Sequence, residues 1–164
     1  MGSGVLPIAK HNKKLYFLFS REWIHSDYDP GLWSDFGGTK ENKETYKETA
    51  IREGYEESMG FIGSRNRIKQ LITKYNIYFK TTTNYRTYIV LIKYDKNLPR
   101  RFRKHFTETL KTNPELVRMH NGLYEKDYLK WYTLEEIQEN IHTFRPWYKD
   151  IIRQLLTSMK LRCL

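Results

Sequence analysis

The sequence predicts a single sandwich of the α/β or α+β class, and three observations carry that expectation. Two apolar and aromatic runs near the N-terminus read as strands. A proline-free stretch rich in Glu, Lys and Ala reads as a helix in the middle of the chain. Further β-branched and aromatic segments follow it, so strands and helices are mixed along one chain. Its 164 residues, 39% hydrophobic and 15% aromatic, suffice for a core without a staple. No Pro/Gly/Ser-rich linker interrupts it, and residues 1–164 are read as one domain.

In chain order, Val5 to Ala9 predicts a strand, and the polar turn Lys10 to Lys13 leads into a second, Leu15 to Phe19. The latter is continuous enough to be covered on both faces. Asp27 to Gly31 carries Asp-Pro-Gly turn chemistry. Thr45 to Ser58 is the central helix, with Gly60 placed to cap its C-terminus. Ile68 to Phe79 and Tyr85 to Tyr94 read as paired strands around the turn Thr81 to Asn84. Arg101 to Lys111 is a basic helical or loop insertion, and Tyr128 to Tyr132 a short strand. Thr133 and Glu136 form a capping box for a helix through about Asn140. Pro146 starts the last helix, where Ile151, Ile152, Leu155, Leu156 and Met159 make an apolar stripe.

Cys163 is the single cysteine, which excludes an internal disulfide, a cysteine-based zinc cluster and a Cys–His nucleophile pattern. The five histidines show no ligand spacing. No apolar run approaches the roughly 18 residues of a membrane span, and the N-terminus lacks the features of a secretory signal. A reducing, cytoplasmic setting is the expectation. With 29 Lys and Arg against 19 Asp and Glu, the net charge of +10 favours a polyanionic partner.

The chemistry concentrates between Gly37 and Glu57. Glu53, Glu56 and Glu57 stand at i, i+3 and i+4, which puts three carboxylates on one face of the central helix. Like charges at that spacing repel unless something compensates, and a hard divalent cation such as Mg²⁺ does so through carboxylate oxygens. The competing reading is a solvated acidic face neutralised by neighbouring lysines. Gly37-Gly38 lets backbone come close to a phosphate or metal. Ala50, Gly54 and Ser58 recur at i, i+4 on the opposite face, small enough to lay the helix tight on a sheet.

This segment resembles the Nudix box, Gly-x5-Glu-x7-Arg-Glu-U-x-Glu-Glu-x-Gly-U with U a bulky aliphatic residue. Gly38, Glu44, Arg52, Glu53, Glu56 and Glu57 fall in register. Gly54 stands where the bulky aliphatic belongs, which is expected to weaken packing under the helix. Met59 replaces the final glycine, which is expected to lengthen the helix C-terminus. The likeness extends to Gly4–Ile8, Leu15–Glu22, Trp33–Gly38 and Trp131–Glu136.

The resemblance implies an α/β/α sandwich with a mixed β-sheet and a catalytic loop–helix–loop that holds Mg²⁺ or Mn²⁺. Glu53, Glu56, Glu57 and the Gly38 carbonyl would be the metal ligands. Arg52 and Glu44 would form an ion pair fixing the loop. Glu53 or an acid from a later loop, for which Glu125 is available, would take a proton from the attacking water. The implied activity is hydrolysis of a pyrophosphate bond in a nucleoside-diphosphate-linked substrate, capped mRNA or a nucleotide. Inositol pyrophosphates, dinucleoside polyphosphates and a non-catalytic RNA- or phosphate-binding module are the alternatives.

Substrate contacts are expected from Lys40, Arg21 and the patch Pro99 to Phe106, whose Arg100, Arg101, Arg103 and Lys104 are interleaved with Phe102 and Phe106. Such a patch binds phosphate backbones and stacks bases, or is a basic helix face with two buried phenylalanines. Tyr78, Phe79, Tyr85 and Tyr88 are candidates for a base-stacking pocket, although aromatic residues in strands more often build core. Frequent Lys, Asn, Tyr and Ile resemble proteins of AT-rich genomes, large DNA viruses included.

Overall fold

The computed structural model describes residues 1–119 and 121–158. Among these residues seven strands form one mixed sheet around a long first strand, β1 (Gly2–His11). β1 turns through Asn12 and Lys13, both at positive φ, into β2 (Lys14–Glu22). The N-terminal half of β1 pairs antiparallel with β4 (Phe36–Thr39), and its C-terminal end pairs with β2. On its other edge it runs parallel to β6 (Tyr85–Leu91), which pairs with β5 (Ile77–Lys80). β2 in turn carries the two-residue β3 (Trp33–Ser34) and β7 (Lys126–Tyr132).

Alternation along β1 divides the core into two layers. Val5 and Ala9 face a cluster with Ala50, Ile68, Leu71, Ile72 and Phe102, beneath α1 (Tyr46–Glu57), α2 (Arg65–Tyr75) and α3 (Leu98–Thr112). Leu6 and Ile8 face the opposite cluster with Ile137, Tyr148, Ile151, Ile152 and Leu155, beneath α5 (Leu134–Glu139) and α6 (Lys149–Thr157). A short α4 (Pro114–Arg118) follows α3 and joins a satellite cluster through Val117. The result is the α/β/α sandwich with a mixed sheet. No helix among the described residues is long and apolar enough to cross a membrane.

Local chemistry explains where the elements begin and end. α1 opens with a capping box between Thr45 and Glu48, and α5 with one between Thr133 and Glu136. α1 stops at Glu57 in a Schellman motif: the Gly60 N–H donates to the Tyr55 carbonyl and the Met59 N–H to that of Glu56. Met59 adopts φ 51° there, the left-handed conformation that glycine usually supplies. The helix is therefore not lengthened where Met59 replaces glycine. Nor does Gly54 leave a gap, because a Cβ on it would lie 3.0 Å from the Val5 Cγ2. Gly54 is the point where α1 rests on β1.

Three expectations need correction. Ile68 to Phe79 is not one strand. Ile68, Leu71 and Ile72 recur at helical spacing, Ser64 caps α2, and Asn76 ends it at φ 48°, so only Ile77–Lys80 is extended. The second of that pair ends at Leu91 rather than Tyr94. Pro146 opens a 3₁₀ turn, Pro146–Tyr148, and α6 follows it from Lys149. Of the apolar stripe on α6, Ile151, Ile152 and Leu155 are buried, while Met159 and Cys163 lie outside the described residues.

At the centre of the sandwich β1 and β4 meet almost without side chains. A Cβ on Gly37 would lie 2.0 Å from the Tyr85 hydroxyl and 2.4 Å from the Gly4 Cα. The Tyr85 hydroxyl occupies that space and donates to Asp35, fully buried, which accepts hydrogen bonds from Tyr85 (2.8 Å) and Thr87 (2.7 Å). Burial pushes the Asp35 carboxyl up to about 7, against the pull of those hydroxyls and of Lys126 and Arg145.

Two outcomes are expected. Gly37→Ala forces backbone and Tyr85 apart and should cost about 3 kcal/mol of stability in denaturant unfolding. Asp35 stays protonated in the folded protein up to about pH 7, whereas its unfolded pKa is the ordinary one. Stability should therefore fall as pH rises from about 4 to 7, with Asp35 responsible for on the order of 4 kcal/mol at most. Asp35→Asn should flatten that decline, and an unchanged slope would contradict the assignment.

Candidate active site

One turn of α1 and the loops facing it enclose a cleft of about 720 Å³. Its wall includes Gly37, Gly38, Arg52, Glu53, Glu56 and Glu57 from the central segment, and Glu22, Glu125 and Arg145 from elsewhere. Glu125, which precedes β7, thus shares a cavity with the three helix carboxylates. The loop Asn121-Gly122 closes over Glu56, and a Cβ on Gly122 would lie 2.8 Å from the Glu56 Oε2.

Arg52 organises the near side. Its Nε and Nη2 donate to the two Glu44 oxygens at 2.8 and 3.0 Å, and Nη2 also donates to the Thr39 carbonyl. Thr49 adds a hydrogen bond to Glu44 at 2.9 Å. The Arg52 guanidinium holds the Glu44 carboxyl at about 2, well below its ordinary value. The two residues read from sequence as an ion pair therefore do tie the loop after β4 to α1. The remaining Arg52 donor, Nη1, reaches Glu53 at 2.8 Å and Glu56 at 3.3 Å, and Arg65 donates to the other Glu56 oxygen at 2.7 Å.

Glu53 and Glu57 are buried. Burial raises Glu53 to about 7 despite Arg52, and the carboxylates of Glu125 and Glu56 push in the same direction. Glu57 is held from two sides. The Gly37 N–H donates to its Oε2 at 2.6 Å, and the Lys126 ammonium lies 3.1 Å from its Oε1. Burial raises the Glu57 pKa well above its ordinary value, with Lys126 opposing. Lys126 is wholly buried and also pairs with Glu22. Burial works against its charge, but Glu22 and Glu57 outweigh that and keep the ammonium protonated. Arg145 completes the network, donating to Glu22 at 2.7 Å and Asp29 at 2.8 Å.

Six glutamates, Glu22, Glu41, Glu53, Glu56, Glu57 and Glu125, thus line the cleft with only two cationic side chains, Arg52 and Arg145, both already paired. Such a carboxylate-rich wall suits a hard divalent cation. Gly38 fits the same purpose, since a Cβ there would fall 2.6 Å from the Glu53 Oε1 and obstruct the approach to that carboxylate. Among the described residues no three His, Cys, Asp or Glu side chains converge as a ready ligand set. Glu53 and Glu56 are turned to Arg52 and Arg65, and Glu57 to Lys126.

The expected substrate contacts are more scattered. Lys40 is half-buried beside Met1, to whose carbonyl its N–H donates, and does not line the cleft. Arg21 makes a bidentate pair with Asp127 at 2.9 and 2.7 Å. Arg103 reaches the same carboxylate, and both guanidinium groups stack on Tyr128 at 4.4 and 4.2 Å. Arg101 pairs with Asp95, while Arg100 and Lys104 are exposed on α3. Phe102 and Phe106 are fully buried, so the patch is a basic helix face over core aromatics rather than a set of stacking rings. Of the four strand aromatics, Tyr88 and Phe79 are core, Tyr78 is exposed, and Tyr85 borders a smaller cavity beside the cleft.

Sequence reasoning missed Lys126 and Arg145 as parts of this site. Lys126 stands in a run of charges, Glu125-Lys126-Asp127, which reads as solvated turn. A faint signal was available, because alternation continued back from the aromatic strand puts Lys126 and Asp127 on opposite faces of it. Arg145 gave none, since its partners Glu22 and Asp29 lie more than a hundred residues away.

A family model for the NUDIX domain matches residues 2–155. Among solved structures, a C. elegans Ap4A hydrolase binary complex aligns with all of both chains at 14% identity and a TM-score of 0.60. RenU, a Nudix hydrolase from M. smegmatis, aligns over 96% of this chain and 86% of its own at 11% identity, TM-score 0.53. A bifunctional NMN adenylyltransferase/ADP ribose pyrophosphatase from Francisella tularensis, complexed with AMP and a Mn ion, aligns over 93% of this chain and 40% of its own. Its identity is 18% and its TM-score 0.54. At these identities the likeness shows the fold. No curated protein matches the chain. With Arg52, Glu53, Glu56 and Glu57 of the box lining one cleft, Glu44 tied to Arg52, and the family model spanning both layers of the sandwich, the chain belongs to the Nudix family of pyrophosphohydrolases.

Proposed function

We propose that this protein hydrolyses the pyrophosphate bond of a nucleoside-diphosphate-linked substrate with the help of Mg²⁺ or Mn²⁺. The observation that carries this reading is the surplus of carboxylates in the cleft: six glutamates against two paired arginines leave a wall that repels a bare phosphate chain. Glu53, Glu56, Glu57 and the Gly38 carbonyl would hold the cation. When bound, it would neutralise pyrophosphate oxygens and acidify a water for attack on phosphorus.

The other side chains have roles that follow from where they sit. Arg52 and Glu44 hold the Gly38 loop in place against α1. Lys126 and the Gly37 N–H fix the Glu57 carboxylate in one orientation. Glu125, which lines the same cleft, would accept the proton of the attacking water, with Glu53 as the other candidate. The solved neighbours named for Ap4A and for ADP ribose pyrophosphatase support a nucleotide-type substrate. Capped mRNA is the larger version of the same substrate. The exposed Arg100 and Lys104 on α3 would favour it, although the burial of Phe102 and Phe106 removes the stacking half of that patch. A reducing, cytoplasmic setting suits a chain with a single cysteine.

A panel of ADP-ribose, diadenosine tetraphosphate and a capped RNA oligonucleotide, incubated with Mg²⁺ or Mn²⁺ and read by product mass, tests the reading. Metal-dependent cleavage between phosphates is the expected result. Glu56→Gln is the cleaner probe, because Glu57 also neutralises Lys126. It should lower turnover by about a hundredfold or more, beyond the cost typical of losing a ligand's outer partner, with an unchanged circular dichroism spectrum. Full turnover of a folded Glu56→Gln variant would remove the metal-site assignment.

A further inference from the structure

The chain has a net charge of +10, yet six glutamates line its cleft, so the surplus of cations lies elsewhere. A second cavity of about 700 Å³ gathers some of them. It shares no lining residue with the cleft. Gly2, at one end of β1, pairs with Thr39 of the cleft wall. His11, at the other end, borders the second cavity, roughly 30 Å away at the usual rise of a strand.

The floor of this cavity is apolar: Ile62 and Leu98 are buried, and Phe61 and Ile92 half-buried. Its titratable rim consists of His11, Lys93, Asp95, Lys96 and Arg101. The single carboxylate, Asp95, is neutralised by Arg101 at 2.9 Å and accepts the Asn97 N–H at 2.8 Å. Lys93 and Lys96 are exposed and enter no ion pair among the described residues. One side is aromatic. Tyr94 lies nearly parallel to His11 at 4.5 Å and 17°, and is backed by Tyr16 at 4.7 Å and Trp131 at 5.2 Å. Trp131 donates its indole N–H to the Asp95 carbonyl, which fixes the loop that carries the two lysines. His11 is exposed, so it ends a supported stack of rings on which a further flat group can lie.

α3 joins this cavity to the cleft. Leu98 and Arg101, in its first turns, line the cavity. His105, about 10 Å along the helix axis from Leu98, lies within hydrogen-bond distance of the Tyr124 hydroxyl, next to Glu125 of the cleft. A chain of phosphates leaving the cleft is repelled by its glutamates and drawn along this helix toward the unpaired lysines. Free ammonium groups attract any polyanion. A ring stack that ends in an exposed imidazole selects one carrying flat bases over an acidic peptide, whose carboxylates have no π face.

We propose that this cavity is a second, non-catalytic site for a single-stranded polynucleotide, the RNA that follows the cap in a capped substrate. His11 stacks a base, and Lys93 and Lys96 pair with phosphates. Strand binding stands independently of the pyrophosphohydrolase reading, whereas the consequence that a capped RNA is the substrate rests on it.

An uncapped RNA of about twelve nucleotides, within the span of single-strand sites, is titrated onto the intact protein in EDTA and followed by fluorescence anisotropy. It should bind, and weaken as salt rises. Lys93→Gln/Lys96→Gln should weaken it about tenfold at low salt and flatten the log–log salt slope by about 1.4, or 0.7 per lost phosphate contact. His11→Ala should weaken it about fivefold or more at unchanged slope, and His11→Phe should restore it. All three side chains are exposed, so the variants keep the fold. No binding by the wild type, or full affinity in both the His11→Ala and the double-lysine variants, overturns the site. Poly-glutamate bound as tightly as the RNA, with no effect of His11→Ala, also overturns it, in favour of an acidic protein segment. Kinetics separates the two ideas. In the double-lysine variant, kcat/KM for a capped RNA relative to that for ADP-ribose should fall about tenfold, mainly through KM. An unchanged ratio with both compounds cleaved overturns the site and leaves the reaction standing. RNA binding that these variants weaken, in a protein that cleaves neither compound, overturns the reaction and leaves the site standing.

Discussion

A lysine ammonium with no solvent exposure sits where β2, β7 and α1 meet, and three elements distant in sequence are arranged around its charge. Taking that charge out of water costs several kcal/mol, which only close and well-oriented carboxylates offset. Lys126 has two, Glu22 from β2 and Glu57 from α1. Arg145 pins Glu22 from the far layer through the segment leading into α6. The acidic helix face is thereby held at a defined distance from the sheet. Without this cation the buried carboxylates of Glu22 and Glu57 would repel each other in a low dielectric.

The second constraint is steric. Gly4, Gly37 and Gly54 let β1, β4 and α1 come closer than any side chain permits. Two of them admit the Tyr85 hydroxyl and the Asp35 carboxylate it serves, and the third seats Val5 under α1. A bulky aliphatic at position 54, the residue the family pattern calls for, has no room in this packing. The substitution belongs with Val5 rather than weakening the helix seat.

These features bear on function through charge. A wall of glutamates, which suits a hard cation, lies next to a smaller cavity bordered by Thr83, Tyr85 and Trp147. The basic character of the chain as a whole is expressed elsewhere, on α3 and around Tyr128, where Arg21 and Arg103 share Asp127.

Much was legible in the sequence because its signals are local. The capping boxes at Thr45 and Thr133, the turn before Tyr85 and the i, i+3, i+4 spacing of Glu53, Glu56 and Glu57 depend on neighbours within one or two turns. Arg52 and Glu44 were legible as a pair for the same reason: eight residues and one helix start separate them. Ile68 to Phe79 was misread because β-branched content outweighed a helical period in the first half of the segment. What only the tertiary structure decided is which distant groups share one low-dielectric space: Lys126 with Glu22 and Glu57, and Asp35 with Tyr85 and Thr87. Local sequence sets which face a side chain takes. Whether a charge on that face meets water or a counter-charge is settled by long-range pairing of strands, and that is encoded in no single stretch of the chain.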